Sequence, residues 1–495
     1  MPTAVTLRWL GRPTRGEPAE LLRALAPLTA RFEPALGPPR VHTASYLDTA
    51  DWRLRRRGLE LTHEGASGPG SLVLGAHAVK LTEPPAWPAR IDGLPEGDLR
   101  EAVAGAMSVR AIAPKVRSRT VWREIVLCDA EGAEAGRLRW AEATTLHPVR
   151  TPPVVRVTVH GKRRVARTLL ESGEFEPADG SAYDDLLAAC GLPEPRPTGI
   201  TPGMPADAAV ATALLGFADA ISANVEGTLD DVDPEFLHEL RVAVRRTRSL
   251  LKVAGDVLPG NLAARFAPRF KELGDLTTPT RDLDVYLLDF DALAAGLTVA
   301  GPAVLAPFGE FLRERRDTER KTLVRGLRAQ RFTRLLESWR ATLNGVVTTP
   351  TAHSTVDDLA ANRLRRNAKR LVRHAKAITG DSPAEDVHTL RKRAKELRYA
   401  LEVFGPLCEP GPHRTAVKEL KRLQDVLGAF QDGEVQSTTL RAYAQEMLHS
   451  GLADAPVLLA MGELLAGFVR REREARDELT GALARFLSAF TLPVS

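Results

Sequence analysis

The 495-residue sequence predicts a multidomain protein: an N-terminal α+β region with antiparallel strands, followed by an all-α region made of two copies of one helical unit. Before residue 195, short runs rich in β-branched and aromatic residues are separated by turn residues. A stretch rich in proline and glycine follows. Beyond it, apolar residues recur with the helical period of about 3.6 residues almost to the end of the chain.

The composition limits the function classes that need to be considered. Hydrophobic residues at 44% and charged residues at 26% are typical of a soluble globular protein. The formal net charge is +5, and most clusters of arginine and lysine follow residue 238, so an anionic partner is expected to bind the C-terminal region. Cys128, Cys190 and Cys408 are far apart and form no C-x-x-C pair, which argues against a disulfide framework and a zinc site. The start of the chain does not read as a signal peptide, and no run reaches about 18 apolar residues, so we expect a cytoplasmic protein without a membrane span.

The N-terminal region, residues 1–195, is predicted to contain six strands and four helices. The strands are expected at 4–9, 59–63, 71–81, 121–128, 137–143 and 154–160. The helices are expected at 17–30, 98–106, 165–171 and 182–189. Between Pro193 and Pro205 lie five prolines and two glycines, which favour neither a helix nor a central strand. This stretch gives a linker at about 196–206.

The helical region, residues 207–495, is predicted to consist of two halves, about 207–350 and 351–490. Its helices are expected at 207–229, 234–257, 262–274, 281–296, 302–343 with a break, 355–378, 383–404, 412–428, 433–449 and 455–489. Asp233 and Ser382 each precede a proline and are expected to cap a helix. Gly255, Gly405 and Gly428 are predicted to end helices.

A row of basic residues lies on one face of the helix predicted at 234–257. At 100° per residue, five side chains fall within an arc of about 80°: His238, Arg241, Arg245, Arg248 and Lys252. Leu237, Leu240, Val244 and Leu251 lie on a neighbouring face, so the helix can pack through one side and present cations on the other. Like charges three or four residues apart repel by about 0.2–0.5 kcal/mol per pair, so the row needs carboxylates or a bound anion to neutralise it.

The same pattern occurs a second time, 150 residues later, with His388, Arg391, Lys395 and Arg398. Downstream of each copy the likeness continues: Lys271 matches Lys418 after a shift of three residues, and Arg281-Asp282 returns as Gln431-Asp432. Two copies of one unit predict a two-fold pseudo-symmetric domain and not a solenoid.

The basic rows have two interpretations. Acidic residues on neighbouring helices neutralise them, or they bind a polyanion. Arginine forks and lysine point charges suit phosphate oxygens. The repetition of the row, with histidine in the same place, favours an anion, as does a third basic helix that carries Arg365, Arg366, Lys369 and Arg373. Arg313, Arg316 and Arg320 fit either an extension of the anion surface or a solvated face, whereas Asp282 and Asp284 are expected to cap and to pair with Arg281.

Part of the N-terminal region resembles the CYTH family, or triphosphate tunnel metalloenzymes. Residues 45–59, SYLDTADWRLRRRGL, are similar to the family's YYDT segment, and residues 79–82 and 117–123 to later strands. The resemblance implies an antiparallel β-barrel tunnel. The strand at 5–9, VTLRW, lacks the carboxylates of the family's E-x-E-x-K strand, and residues 154–160 lack its alternating glutamates. We therefore expect no metal site and no catalytic residues, and we expect surface or fold-stabilising roles for Glu60, Glu124 and Glu142.

The helical region resembles the CHAD domain family, the "conserved histidine α-helical domain", over residues 207–490. The resemblance rests on the two histidine-containing rows and on the motifs at 271–285 and 418–428. It implies two helical bundles whose basic faces turn toward a central cavity and bind inorganic polyphosphate. The candidate polyphosphate-binding residues are His238, Arg241, Arg245, Arg246, Arg248, Lys252, Lys271, Arg365, Arg366, Lys369, Arg373, His388, Arg391, Lys395, Arg398, Lys418 and Lys421.

We therefore expect a non-catalytic protein that binds inorganic polyphosphate, without a cofactor and without a membrane partner. Nucleic acid is disfavoured as a partner because aromatic content is 5% and the rows contain no interleaved aromatic residues for base stacking. Two alternatives stay open. One is a metal-dependent triphosphate or polyphosphate hydrolase of the CYTH type, and the other is an adaptor that recruits a partner protein to polyphosphate granules through residues 1–195.

Overall fold

The computed structural model describes residues 4–14, 17–65, 68–161, 163–192 and 199–493. The chain divides into two compact units, Met1–Arg196 and Pro197–Ser495. Most of the prolines of the predicted linker, Pro193, Pro195 and Pro197, lie outside the described residues.

The described part of the first unit contains one antiparallel sheet, as the sequence predicted. Its strands are β1 (Val5–Trp9), β2 (Glu33–Leu36), β3 (Arg40–Thr49), β4 (Leu61–Glu64), β5 (Ser71–Leu74), β6 (His77–Lys80), β7 (Ile112–Cys128), β8 (Glu134–His147), β9 (Val154–Gly161) and β10 (Phe175–Pro177). The strand order is β10-β1-β9-β8-β7-β3-β4-β5-β6, with β2 paired to β7. The helices are α1 (Pro18–Ala24), α2 (Ala26–Thr29), α3 (Arg53–Arg56), α4 (Asp98–Met107), α5 (Arg163–Glu171) and α6 (Ala182–Ala189).

The sheet extends further than its sequence pattern indicated. The single run predicted at 71–81 is a hairpin, in which Leu74 of β5 pairs with His77 of β6. Strand β2 was missed because its sequence, Glu-Pro-Ala-Leu, has no β-branched residue, and it forms only by pairing with β7. Inward residues such as Leu7, Leu138 and Val157 alternate with exposed ones and form the main core of this unit.

The second unit is helical throughout its regular structure. Its helices are α7 (Ala206–Leu229), α8 (Pro234–Ala254), α9 (Leu262–Ala295), α10 (Ala306–Arg328), α11 (Gln330–Thr348), α12 (Val356–Ala375), α13 (Ala384–Phe404), α14 (Pro410–His449) and α15 (Ala455–Ala489). Two breaks predicted from the sequence are wrong. Helix α9 continues through Pro268 and Pro279, and α14 continues through Gly428. The packing of Phe266 and Phe270 on Trp339, at ring distances of 4.6 and 5.3 Å, fixes α9 across the first proline.

The two copies are joined at their starts by an isolated antiparallel β-bridge between Pro205 and Thr355. The Ala206 N–H donates to the Ser354 carbonyl at 3.0 Å, and the Val356 N–H donates to the Met204 carbonyl at 2.8 Å. These residues are related by the same offset of 150 residues as the basic rows. By this offset, helices α7, α8 and α9 of the first copy correspond to α12, α13 and α14 of the second, and α10 and α11 together correspond to α15.

Two apolar cores hold the helical unit together. The larger core includes Leu214, Leu240, Leu364 and Leu390 from the first two helices of each copy. A smaller core joins the far ends of the long helices α9 and α14 to α10 and α15. Helix α7 is long and apolar enough to cross a membrane by length and composition alone, but half of its most apolar window is buried within the helical unit.

Candidate anion-binding site

Helix α8 places the first basic row, and its own sequence fixes where it starts. The Asp233 side chain accepts hydrogen bonds from the backbone N–H groups of Glu235 at 2.9 Å and Phe236 at 3.3 Å, as predicted for a cap. Leu240 and Val244 are buried, at 0% and 1% exposure. Burial of this apolar face turns the basic row toward α9 and α13.

Helix α13 places the second row, but it starts differently from the prediction. It begins at Ala384 with Pro383 at the N-cap, and no side chain caps it. The Ser382 hydroxyl, predicted to be the cap, instead accepts the backbone N–H of Thr379 at 2.9 Å. The histidine still lies in the second turn, so the equivalence of the two rows is kept.

In the first copy, neutral acceptors hold the arginines. Arg241 donates to the hydroxyls of Thr278 at 2.7 Å and Thr277 at 3.2 Å, both on α9. The Arg248 guanidinium lies against Gly274, where an added Cβ would be 2.9 Å from its Nη1. These neutral contacts orient the two guanidinium groups, and carboxylates act on them only from a greater distance, Asp282 on Arg241 and Asp275 on Arg248.

In the second copy, polar and acidic side chains of α14 take over these roles. His388 hydrogen-bonds through Nδ1 to the Gln431 side-chain oxygen, and Arg391 pairs with Asp432 at 3.1 Å. Gly428 occupies the position equivalent to Thr278, so it offers Arg391 no hydroxyl. The two halves are therefore similar in backbone but not in charge.

The two rows meet at the crossing of α8 and α13. The guanidinium carbons of Arg245 and Arg398 lie 5.5 and 5.3 Å from the centre of the same ring, that of the buried Tyr399. Burial, together with Arg391 and Arg245 nearby, lowers the pKa of Lys395 to about 8. We name the eight residues of the two rows the cationic seam: His238, Arg241, Arg245, Arg248, His388, Arg391, Lys395 and Arg398.

The cationic seam is under-compensated. Two of its arginines have carboxylate partners, Arg391 with Asp432 at 3.1 Å and Arg398 with Glu402 at 3.4 Å. In the part of the chain that the structure describes, Arg245, Arg248 and Lys395 form no ion pair with a carboxylate. Burial lowers the pKa of the Arg241 guanidinium, and burial with Arg281 lowers the pKa of His238. Cations that are partly desolvated and adjacent to one another raise the free energy of the protein without ligand. A bound anion would lower this free energy.

Two residues of α8 that were expected to bind phosphate form ion pairs with α13 instead. Arg246 pairs with Glu402 at 3.0 Å, and Lys252 pairs with Glu396. Both carboxylates are on α13, so these cations link α8 to α13 and do not extend the row along α8. The sequence contains a signal for this: at the offset of 150, Arg246 aligns with Glu396 and Lys252 with Glu402.

The other candidate residues lie outside the cationic seam. Lys271 pairs with Asp275 at 2.7 Å, while Lys418 and Lys421 are exposed on α14. On α12, the candidates Arg365, Arg366, Lys369 and Arg373 are all exposed, and Arg373 lines a cleft that also contains Lys252. Lys392, Arg370 and Arg393 of that cleft were not singled out in the sequence.

Several predicted pairings of acidic residues also changed. Asp284 was expected to pair with Arg281, but its partner is Arg316 at 2.6 Å. Arg316 and Arg320 both reach Asp231, at 2.6 and 3.3 Å, so they stabilise the junction of α7, α9 and α10.

The N-terminal glutamates have contacts within their own unit. Glu142 is buried and accepts hydrogen bonds from Thr14 and from Trp140 Nε1 at 3.0 Å. Glu124 lies 3.8 Å from Arg139, and Glu60 lines a cavity of about 410 Å³. Within the described residues, no group of three or more His, Cys, Asp or Glu side chains is arranged to hold a metal ion.

Comparisons with known proteins are consistent with this architecture. The family model for the CHAD domain matches residues 212–441. The chain is 30% identical over 289 residues to the uncharacterized protein Rv2226 of Mycobacterium tuberculosis, a match that covers 55% of this chain and 52% of that protein. The match thus spans about half the length of the curated relative.

Solved structures add a likeness of fold. The crystal structure of the CHAD domain from the plant Ricinus communis is 24% identical, with a TM-score of 0.51, and covers 59% of this chain and 95% of that chain. A putative adenylyl cyclase from Hippeastrum, described as having a dominant triphosphatase activity, is 16% identical and has a TM-score of 0.25, with 38% of this chain and 96% of that chain covered. That likeness is too weak to carry an argument, so the tunnel resemblance of the N-terminal sheet rests on the sequence. The family match identifies residues 212–441, which contain both histidine-containing rows, as a CHAD domain, and the likeness to the plant structure is one of fold.

Proposed function

We propose that the helical unit binds inorganic polyphosphate along the cationic seam. The observation that carries this proposal is the meeting of cations from both copies around Lys395, whose pKa burial and its basic neighbours lower to about 8. Polyphosphate is a flexible row of anionic oxygens, so it can contact arginines from both helices at once.

The local geometry favours this ligand over a single-stranded nucleic acid. Tyr399 lies beside the seam, and it is 5% exposed with Arg245 and Arg398 over its ring. A ring held in this way is not available to stack on a base. Recognition along the seam therefore depends on charge and on guanidinium hydrogen bonds.

The proposal is tested with a seam variant of the full chain, Arg241→Ala, Arg245→Ala, Arg391→Ala and Lys395→Ala. We expect it to lose retention of long-chain polyphosphate while its helical circular dichroism signal is unchanged. A matched control removes the exposed cations Arg163 and Arg164 of α5, which lie in the other unit. Retention by the control and its loss in the seam variant support the proposal, and equal retention by both rejects it.

A further inference from the structure

A second cluster of basic residues lies in a cleft between α12 and α13, into which the end of α8 also reaches. The cleft has a volume of about 470 Å³, within the range of roughly 300–1,000 Å³ that ligand pockets occupy. Its lining residues are Lys252, Asn367, Arg370, Arg373, Thr389, Lys392, Arg393 and Glu396. None of these eight residues belongs to the cationic seam.

The charge of the cleft is almost entirely positive. It contains five basic side chains and one carboxylate, and that carboxylate, Glu396, is already paired with Lys252. Among the described residues, no ion pair is recorded for Arg370, Arg373, Lys392 or Arg393. By contrast, a cavity of about 840 Å³ between α9 and α11 has three arginines and two carboxylates in its lining, so its cations are largely balanced.

The cleft also holds polar groups that lack partners. The side-chain nitrogen of Asn367 is buried without a hydrogen-bond partner among the described residues, so it can donate to an anion. His374, one residue after Arg373 on α12, has a buried Nδ1 without a hydrogen-bond partner among the described residues, and burial together with Arg393 lowers its pKa. The neutral histidine adds no charge, so the arginines and Lys392 dominate.

The pseudo-symmetry shows that the fold does not require these cations. Seven of the eight lining residues belong to the second copy, and at the offset of 150 residues their equivalents in the first copy are Phe217, Ala220, Ala223, Glu239, Val242, Ala243 and Arg246. Lys252 belongs to the first copy, and its equivalent in the second is Glu402. In the first copy, Arg370 and Arg373 are replaced by alanines, and Lys392 and Arg393 by valine and alanine. The same arrangement of helices therefore forms in the first copy without these cations. In the second copy they repel one another, and the fold itself does not require them.

We propose that this α12–α13 cleft is a separate binding site for a compact oligophosphate of three or four phosphoryl groups. Four uncompensated cations and a free amide N–H match the charge and the acceptor oxygens of such a ligand. No aromatic residue lines the cleft, so the phosphoryl groups themselves are recognised, and not a base attached to them. The site does not depend on the cationic seam, since no seam residue lines it.

The test uses tripolyphosphate as the probe and the full-length seam variant as the starting protein, with binding followed by calorimetry. We expect the seam variant to bind one tripolyphosphate. Adding Arg370→Ala and Arg393→Ala should weaken that binding by about 100-fold, because two charge-assisted contacts to phosphate oxygens are lost. Adding Arg163→Ala and Arg164→Ala instead, an equal change in net charge, should alter it less than about twofold.

Two results would overturn the proposal: a folded seam variant that binds no tripolyphosphate, or equal affinity with and without Arg370 and Arg393. If the seam variant does not fold, the same pair of substitutions in the unsubstituted chain should lower the number of bound tripolyphosphates by one, and an unchanged number rejects the site. Long-chain retention is measured in parallel. Because the cleft holds only three or four phosphoryl groups, most of the retention of a long chain comes from the seam, so failure of the cleft and failure of the seam give different patterns.

Discussion

Arg246 and Glu402 form an ion pair of 3.0 Å whose pseudo-symmetric image is the pair between Lys252 and Glu396. The first copy supplies both cations and the second copy both carboxylates. These charges favour the packing of α8 against α13. Packing of α8 against a second copy of α8 would place cation against cation. Charge thus distinguishes two copies that share one backbone design.

Reversing the charge of Glu402 alone should lower the free energy of unfolding, and reversing both charges of the pair should restore part of it. Glu402→Lys places a third cation beside Arg246 and Arg398, and we expect it to lower the stability of the helical unit by about 1 kcal/mol, since both partners are partly exposed. The double variant with Arg246→Glu should recover about half of that loss. Thermal unfolding followed by circular dichroism measures the cycle, and an additive result would show that the pair makes no contribution.

The sequence was sufficient to predict the helical class, because helices depend on local periodicity, and the repeat, because its two copies align at an offset of 150 residues. The histidine-containing rows have the same spacing in both copies, and that spacing alone puts Arg241 and Arg245, or Arg391 and Lys395, on one face. The long helices could not be predicted correctly. Pro279 and Gly428 are local signals for a break, and tertiary packing overrides them.

The partners of the cations could not be predicted from one helix at a time. Arg246 and Lys252 read as members of a basic row until α13 is packed against α8, when Glu402 and Glu396 reach them. The α12–α13 cleft was missed for the same reason, since its arginines come from two helices. Comparison of aligned positions across the repeat, such as Lys392 with Val242, would have found both features.

Lys395 should lower the stability of the free protein. Its pKa of about 8 lies below the ordinary lysine value, so the folded state disfavours its charged form. This penalty is fully present below pH 8 and is relieved as pH rises from there toward the pKa of an unfolded lysine, about 10.4. We therefore expect Lys395→Met to raise the stability at pH 7 by about 1 kcal/mol after allowance for solvent screening. Denaturant unfolding measures this difference, which should shrink toward pH 10, and a less stable variant at pH 7 would contradict the prediction.

Replacing Gly274 with alanine should stabilise α9 and displace the guanidinium of Arg248. An alanine Cβ would lie 2.9 Å from the Arg248 Nη1, so the guanidinium must move, although it is the flexible end of its side chain. Replacing a glycine inside a helix also stabilises the helix by up to about 1 kcal/mol. We expect Gly274→Ala to unfold at a higher temperature and to bind polyphosphate more weakly. Gly345→Ala, on α11 with open space around the added Cβ, is the matched control and should keep its affinity.

Polyphosphate affinity should fall as pH rises through about 8. In the free protein Lys395 loses its proton near that pH, because burial and the adjacent arginines disfavour its charge. Bound phosphate oxygens favour the charged form and raise the pKa, so binding above pH 8 requires the uptake of a proton. Titrations between pH 7 and pH 9.5 at constant salt should show this decline in the unsubstituted chain and proton uptake by calorimetry in two buffers of different ionisation enthalpy. Lys395→Arg keeps its charge over this range, so its affinity should be nearly constant, and an equal decline in the variant would show that another group titrates.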